Sequence, residues 1–382
     1  MVHAIFILVA ALTLWGDYKA WRRWGSGRIT TATLLILNAL PLLMMLVMFI
    51  AKDNTQPLMS FSSWILTLYT VATIARLALY FGWLVCRRVW LGVVLCACAI
   101  AILSNGIINT RSKLVVKNIT VTDNRVPASF DGFRIAFFSD LHIGSLVSPE
   151  REISTLVDSI NNQHADIVIF GGDLINIRAN ELTDNILPHL ARIRSEHGIF
   201  AVLGNHDTGT YIKDSLTTTT DTTKRLICDT FDRIGWTLLR DSTVFVNRCG
   251  ESIALTGVDF NDELLEYKHS FAAPESFSTL SELAELPDTL YNIALSHLPQ
   301  LWEAISAGNF AELTLSGHTH ATQIALDIFG IRLSPAMVMH SHWSGLYDDG
   351  QSKLYITDGI GCVGFNMRLG ANPELTVLEL KK

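Results

Sequence analysis

The chain has 382 residues, of which 49% are hydrophobic and 17% charged, and its formal net charge is −7. A mean hydropathy of +0.32 is too apolar for an ordinary soluble protein, and the excess lies toward the N-terminus. The acidic balance, without a strong basic block, gives no reason to expect nucleic acid as a partner.

The first apolar runs are of membrane length. Residues 31–51, 62–86 and 89–108 can each cross a bilayer, for which about 20 apolar residues suffice. A shorter run, Val2 to Trp15, is expected to make a fourth span. It has the length of a signal-peptide core, but no Lys or Arg precedes it, and Lys19, Arg22 and Arg23 follow. That order is wrong for a cleavable signal. Lys19, Arg22, Arg23 and Arg28 lie in the first loop and Arg87 and Arg88 in the third, whereas the second offers only Lys52 beside Asp53. The positive-inside rule therefore places the first and third loops in the cytoplasm and the C-terminal part on the far side. Arg111, Lys113 and Lys117, after the last span, pull weakly the other way. Arg76 lies in mid-span with no acidic partner in the predicted spans, so it packs helices, meets a lipid head group or serves a function.

From Ser112 to Lys382 there are about 270 residues, enough for one large domain with its own core. Strand-like "RIAFFSD" precedes a helix from Pro149 to about Gln163, with Ser148 as N-cap. "DIVIFGGD", a helix from about Thr183 to Glu196, and "GIFAVLGNHD" follow. Thr208–Thr223 reads as a loop and Lys224–Ile234 as a helix. "TLLRDSTVFVN" and "SIALTGVDF" look like antiparallel strands, and residues 261–288 form a polar excursion. "YNIALSHLP", "AELTLSGHTH", "SKLYITDGI" and "ELTVLEL" supply further strands. This order predicts an α/β core whose sheet gains antiparallel strands.

Each major strand ends in a short polar burst. The bursts hold Asp140 and His142, then Asp173, then Asn205, His206 and Asp207, then His297, and last His318 and His320. Ligand groups in α/β folds gather at strand carboxyl ends, so the five bursts can converge. If the strand through Ser139 stays extended, Asp140 and His142 point to one side. His318 and His320 cannot share a helical face, but on an extended segment they too project together. Cys228, Cys249 and Cys362 show no CxxC spacing, which speaks against a cysteine zinc site. A Cys228–Cys249 disulfide is allowed outside the cytoplasm.

In this order D-x-H, G-G-D, G-N-H-[DE], a single H and G-H-x-H resemble the calcineurin-like metallophosphoesterases, over residues 130–345. The apolar runs predict a transmembrane region of three to four helices at residues 1–111, and the resemblance implies a phosphoesterase domain at 112–382. The domain would be an α/β four-layer α-β-β-α sandwich with two divalent metal ions at the strand ends. Asp140, His142 and His320 would hold one ion and Asn205, His297 and His318 the other, with Asp173 bridging. His206 would stand beside the ions without binding them, and Asp207 would orient it. Ala321 departs from the pattern, since a glycine often follows GHTH. The tail from Gly345 resembles bacterial membrane-associated members. Together with the apolar runs and the basic loops, this predicts a multi-pass protein of the bacterial cytoplasmic membrane with its catalytic domain on the extracytoplasmic face.

Carboxylate and imidazole ligands suit Mn, Fe or Zn without choosing among them. Two such ions about 4 Å apart activate a shared water and clamp both oxygens of an in-line displacement. The expected reaction is hydrolysis of a phosphomono- or phosphodiester by a metal-bridging hydroxide, with His206 protonating the leaving alkoxide. Lipid-linked or cell-envelope phosphoesters are the attractive substrates, and membrane lipids the other expected partner. The alternative is a receptor or transporter-regulating domain that binds phosphorylated ligands without hydrolysing them. Such a domain would be expected to have lost a ligand or the motif histidine, and none is lost here. His340 and His342 either line the pocket or lie in a surface loop.

Overall fold

The computed structural model describes residues 2–24, 27–50, 56–212, 220–267, 286–287 and 289–382. Its contacts divide the chain into two units. The first is built on Met1–Arg111 together with Gly364–Leu369. The second holds Ser112–Ile212, Leu216–Val363 and Gly370–Lys382.

Helices α1 (Val2–Trp24), α2 (Arg28–Ile50), α3 (Gln56–Tyr80) and α4 (Val89–Ile108) make up the first unit. A π-helical turn, Phe81–Val85, continues α3. Among the described residues, two helical stretches are long and apolar enough to cross a membrane: Pro57–Val85, of 29 residues, and Val89–Ser112, of 24. α1 runs well beyond the apolar stretch that ends at Trp15, and so carries Asp17 within the helix. This corrects the expectation for Arg76, which does have an acidic partner: its Nη1 lies 2.8 Å from Asp17 Oδ2. Asn38 Nδ2 donates to the same oxygen at 2.8 Å, and the Tyr80 hydroxyl donates to Asp17 Oδ1 at 2.5 Å. Side chains of three helices thus satisfy a buried charge pair that would be costly if left unmatched.

In the second unit the strands are β1 (Val115–Thr122), β2 (Arg134–Phe138), β3 (Ile167–Phe170), β4 (Ile199–Ala201), β5 (Thr237–Leu238), β6 (Ser242–Arg248) and β7 (Glu251–Gly257). There follow β8 (Tyr291–Leu295), β9 (Leu313–Ser316), β10 (Leu326–Ile328), β11 (Ile331–Leu333), β12 (Gly345–Asp348), β13 (Lys353–Ile356) and β14 (Glu374–Lys381). Its helices are α5 (Pro149–Asn161), α6 (Leu187–Leu190), α7 (Thr220–Ile234), α8 (Asp262–Tyr267) and α9 (Trp302–Ala307). One six-stranded sheet has the order β1-β14-β2-β3-β4-β5 and the other β12-β13-β9-β8-β7-β6, while β10 and β11 pair as a separate hairpin. Both sheets are mixed. β2 to β5 run parallel and β14 antiparallel to β2. In the second sheet β13, β9, β8 and β7 run parallel, with antiparallel pairs at both edges.

Strand alternation explains the near-continuous apolar runs. Ile135, Phe137, Ile167 and Ile169 share one buried cluster with Leu255, Ile293, Leu295 and Leu315 of the other sheet. Their neighbours Ala136, Phe138, Val168 and Phe170 pack instead with Ile153, Leu156 and Ile160 of α5 and Phe231 of α7. β2 and β3 are therefore buried on both faces, as parallel strands are. At about 1.5–3 kcal/mol for each fully buried large apolar side chain, this interior is what fixes the strand ends.

Three local expectations need correction. "TLLRDSTVFVN" is not one strand: β5 pairs parallel with β4 in the first sheet, and β6 pairs antiparallel with β7 in the second. The chain changes sheets at Asp241, whose φ is +44°. Ser148 makes no side-chain cap; the Glu152 carboxylate accepts the Val147 and Ser148 N–H groups at 2.9 and 2.8 Å instead. The helix expected over Thr183–Glu196 shrinks to α6. Residues before it wrap around the buried Glu181, whose carboxylate accepts the N–H groups of Gly144, Asn176, Ile177 and Arg178. Of the excursion at 261–288, α8 is described, and most of the remainder lies outside the described residues.

Candidate metal centre

The five bursts leave the carboxyl ends of β2, β3, β4, β8 and β9, all five of which belong to the parallel parts of the two sheets. Asp140, His142, Asp173 and His320 are all buried, with ligand atoms within 4.8 Å of one another. His142 Nε2 faces His320 Nε2 at 3.0 Å and Asp173 Oδ2 at 3.5 Å, and His320 Nε2 lies 3.1 Å from Asp140 Oδ1. A second group meets at Asn205: its Oδ1 is 3.1 Å from His297 Nε2 and 2.9 Å from His318 Nδ1. Asp173 Oδ2 connects the two, 3.2 Å from His297 Nε2. His297 Nδ1 donates to the Gly171 carbonyl at 2.8 Å, which turns Nε2 toward Asp173 and Asn205 as the nitrogen that would meet an ion.

The backbone that delivers these groups is not extended. Asp140, His142, Asp173, His318 and His320 all have positive φ, between +40° and +73°. Non-glycine residues seldom adopt this left-handed region, and strain of this kind gathers at functional sites. The common direction of Asp140 and His142 thus comes from a tight coil, not from strand alternation. Ala321 continues the coil at φ +48°, which accounts for a glycine often standing there. Gly204 and Gly317 make room for carboxylates: a Cβ would sit 2.1 Å from Asp173 Oδ1 at the first and 2.3 Å from Asp140 Oδ2 at the second.

His206 is mostly buried and packs edge-on against His142, ring centroids 4.6 Å apart. Its Nδ1 donates to the Asn176 carbonyl, and its backbone N–H donates to Asp173 Oδ1 at 2.8 Å. Asp207 does not hold the ring, which corrects its expected role. Its carboxylate accepts the N–H groups of Asp173, Leu174, Ile175 and Gly204 at 2.8–3.2 Å, and so ties the GGD loop to the GNHD loop. Tyr211, which the sequence reading did not single out, lies over His206 at 4.4 Å, and its hydroxyl accepts from Asn205 Nδ2 at 2.9 Å. His340 is buried with its ring 5.9 Å from that of His318, whereas His342 packs between Trp302 and Tyr347. Cys228 and Cys249 are both free thiols.

Electrostatics and donor chemistry fit a cation. Burial opposes ionisation of Asp173, yet the imidazoles of His297 and His206 hold its carboxyl well below the usual range. Burial, then His206, drives His142 well below its ordinary value. Burial also pushes His297 down, but the charge and hydrogen bond of Asp173 outweigh it and lift the ring to about 9. Burial and Asp173 push Asp207 up to about 7 against the pull of its N–H donors. His142 Nδ1 is buried with no hydrogen-bond partner among the described residues. Carboxylate oxygens and imidazole nitrogens converging in this way call for positive charge, which a divalent ion brings.

An α/β domain with buried Asp and His side chains gathered at parallel strand ends defines a metal-site protein. The chain belongs to the calcineurin-like phosphoesterase family: residues 133–322 match the family model. It is 30% identical over 268 residues to the metallophosphoesterase YkuE of Bacillus subtilis (strain 168), covering 69% of this chain and 84% of that one. It is 26% identical over 262 residues to the phosphodiesterase YaeI of Escherichia coli (strain K12), covering 68% and 84%. A bovine (Bos taurus) transmembrane protein with metallophosphoesterase domain is 28% identical over 281 residues, 72% of this chain. This chain spans 59% of the bovine protein's length, and the same share of a Helicobacter pylori (strain ATCC 700392 / 26695) metallophosphoesterase that is 28% identical. Membership makes the domain that of a metal-dependent phosphoester hydrolase.

Proposed function

We propose that the chain is a membrane-anchored phosphoesterase with two divalent ions, facing the extracytoplasmic side of a bacterial cytoplasmic membrane. One observation supports the paired site above the others: Asp173 Oδ2 stands between His142 Nε2 at 3.5 Å and His297 Nε2 at 3.2 Å. Asp140, His142 and His320 would hold one ion, Asn205, His297 and His318 the other, and Asp173 both. When bound, the ions supply Lewis acidity that activates water at neutral pH and offsets charge on the phosphoryl oxygens. The rest falls to the chain. Asn176 fixes the His206 tautomer, so Nε2 is the nitrogen free to carry a proton to the leaving group. Asp207 locks the two loops that carry Asp173, Asn205 and His206. We take the domain to be the four-layer sandwich implied by the motifs, and residues 1–111 to be the transmembrane region. The substrate is a phosphomono- or phosphodiester, with lipid-linked or cell-envelope esters favoured by the anchor.

The test is metal analysis of the purified full-length protein with a panel of phosphomono- and phosphodiesters. Two metal equivalents and hydrolysis are expected. Asp173→Ala should abolish activity and lower both equivalents, whereas His142→Ala should weaken chiefly one. A fully active Asp173→Ala protein overturns the paired site.

A further inference from the structure

The hairpin that follows the GHTH loop has its faces reversed. Leu326 pairs with Leu333, Ile328 with Ile331, and Asp327 with Arg332. Side chains alternate along a strand, so the four aliphatic residues share one face and Asp327 and Arg332 the other. Arg332 is fixed in place. Its Nη2 lies 2.5 Å from Asp358 Oδ2, its Nη1 donates to Ser344 Oγ at 2.7 Å, and its guanidinium lies over Trp343. Arg332 is thereby held against the domain while Asp327 is exposed, and Leu326, Ile328, Ile331 and Leu333 are all exposed as well. A hairpin on a soluble protein shows the opposite pattern.

The tip is equally unusual. Phe329 and Gly330 form a turn with φ of +51° and +81°. Two-residue turns with positive φ at both positions favour Asn-Gly or Gly-Gly, and a left-handed L-residue costs roughly 1–2 kcal/mol. Phe329 is 101% exposed, so no burial within the domain offsets that cost. Folding alone gives no reason for a phenylalanine here.

We propose that this hairpin seats its apolar face and Phe329 in the acyl–headgroup boundary of the bilayer. The inference rests on the membrane-anchored reading above. α4 belongs to a stretch long enough to span a membrane, and it ends at Ile108, while β1 starts at Val115. The six residues between them reach at most about 25 Å even when fully extended. The bilayer is therefore an extended apolar surface held permanently near the domain. A three-residue strand of about 10 Å with an aromatic tip matches the 5–10 Å depth at which interfacial segments sit. Five residues separate His320 from Leu326, so the seated hairpin ties the last metal-ligand loop to the lipid surface, where a headgroup phosphoester would stand.

The test uses the full-length protein in vesicles of phosphatidylcholine and phosphatidylglycerol, with Phe329→Trp compared against the parent by difference emission. Ile331→Trp serves as a second variant should the first fold poorly. The added emission should be quenched by lipids carrying a nitroxide on the acyl chain and shielded from aqueous iodide. Quenching by iodide without quenching by nitroxide lipid overturns the proposal. Shielding from both, with cross-linked dimers, replaces the bilayer with a second copy and overturns it too. Alkaline carbonate extraction of the same vesicles tests the anchor separately. A protein that resists extraction while the introduced indole stays in water leaves the anchor standing and sinks only the hairpin.

Discussion

The imidazole of His206 is held by the main-chain carbonyl of Asn176, not by the carboxylate that follows it in sequence. A carbonyl only accepts, so Nδ1 is the donor nitrogen and Nε2 the one left for other partners. Asn176 itself is placed by Glu181, which accepts its N–H at 2.6 Å. The path to the proposed proton donor thus runs through the segment between β3 and α6.

His206→Ala should keep its metal, because the proposed ligands lie elsewhere, and lose activity unevenly. General-acid catalysis is typically worth about 10²–10⁴-fold, and it matters most when the leaving group is a poor one. Alkyl phosphoesters should therefore suffer far more than nitrophenyl esters. Equal losses would assign His206 to phosphate binding, and loss of one metal equivalent would make it a ligand.

Gly204→Ala tests the carboxylate that joins the two groups without removing any ligand. The new Cβ would lie 2.1 Å from Asp173 Oδ1 and 2.6 Å from its backbone nitrogen, so the carboxylate must shift. A displacement on the ångström scale can cost on the order of 10²-fold in rate. Metal content measured by mass spectrometry should fall while the circular dichroism spectrum holds. A variant with full metal content and activity would show that the Asp173 position is not critical.

What the sequence disclosed follows from burial. β2 and β3 are buried on both faces, so their apolar runs and the polar residues that end them stand out in one dimension. The conformation of those ends was not legible. Asp140 and His142 fit extended alternation on paper, yet both are left-handed, because the loop is held from outside by bonds such as Gly361 N–H to the Asp140 carbonyl at 2.8 Å. Asn176 acts through a carbonyl that any residue would offer, so no side chain marks it. Tyr211 approaches by tertiary packing alone. Asp17 was missed because the hydropathy of α1 fades before the helix ends.

The Asp17–Arg76 pair should behave as a unit. Asp17→Ala leaves Arg76 buried without its carboxylate, and breaking a buried pair on one side costs about 3–5 kcal/mol. Joint replacement, Asp17→Leu with Arg76→Met, should be milder than either single change. Detergent-solubilised full-length variants compared by thermal aggregation give the double-mutant cycle. Additive losses would mean that the 2.8 Å contact carries no coupling.

The proposed sidedness rests on the placing of basic residues. By the positive-inside rule Lys19, Arg22, Arg23, Arg87 and Arg88 favour the cytoplasm, and the proposed topology would then put Lys382 across the membrane. A reporter enzyme active only outside the cytoplasm, fused after Lys382, should be active. Activity of a cytoplasmic reporter at that position would reverse the proposed orientation and direct the substrate search inward.

The last prediction concerns acid stability, and it rests on Asp358, away from the proposed ligands. Burial opposes ionisation of Asp358, but Lys117 and Arg332 outweigh it and hold the carboxyl below its ordinary value. Lys117 Nζ lies 3.3 Å from Asp358 Oδ2 and 2.5 Å from Glu374 Oε2, so the cluster also joins β1 to β14. A carboxyl whose folded pKa is depressed binds fewer protons in the folded state than in the unfolded one. Its contribution is fully present above the unfolded value of about 3.9 and is lost as pH falls through the folded value. Wild-type protein should thus lose thermal stability steeply below about pH 4. Asp358→Asn should start lower at pH 7, with Arg332 and Lys117 deprived of a partner, and show a shallower decline over the same acid range. Parallel curves for the two proteins would remove Asp358 from the acid response.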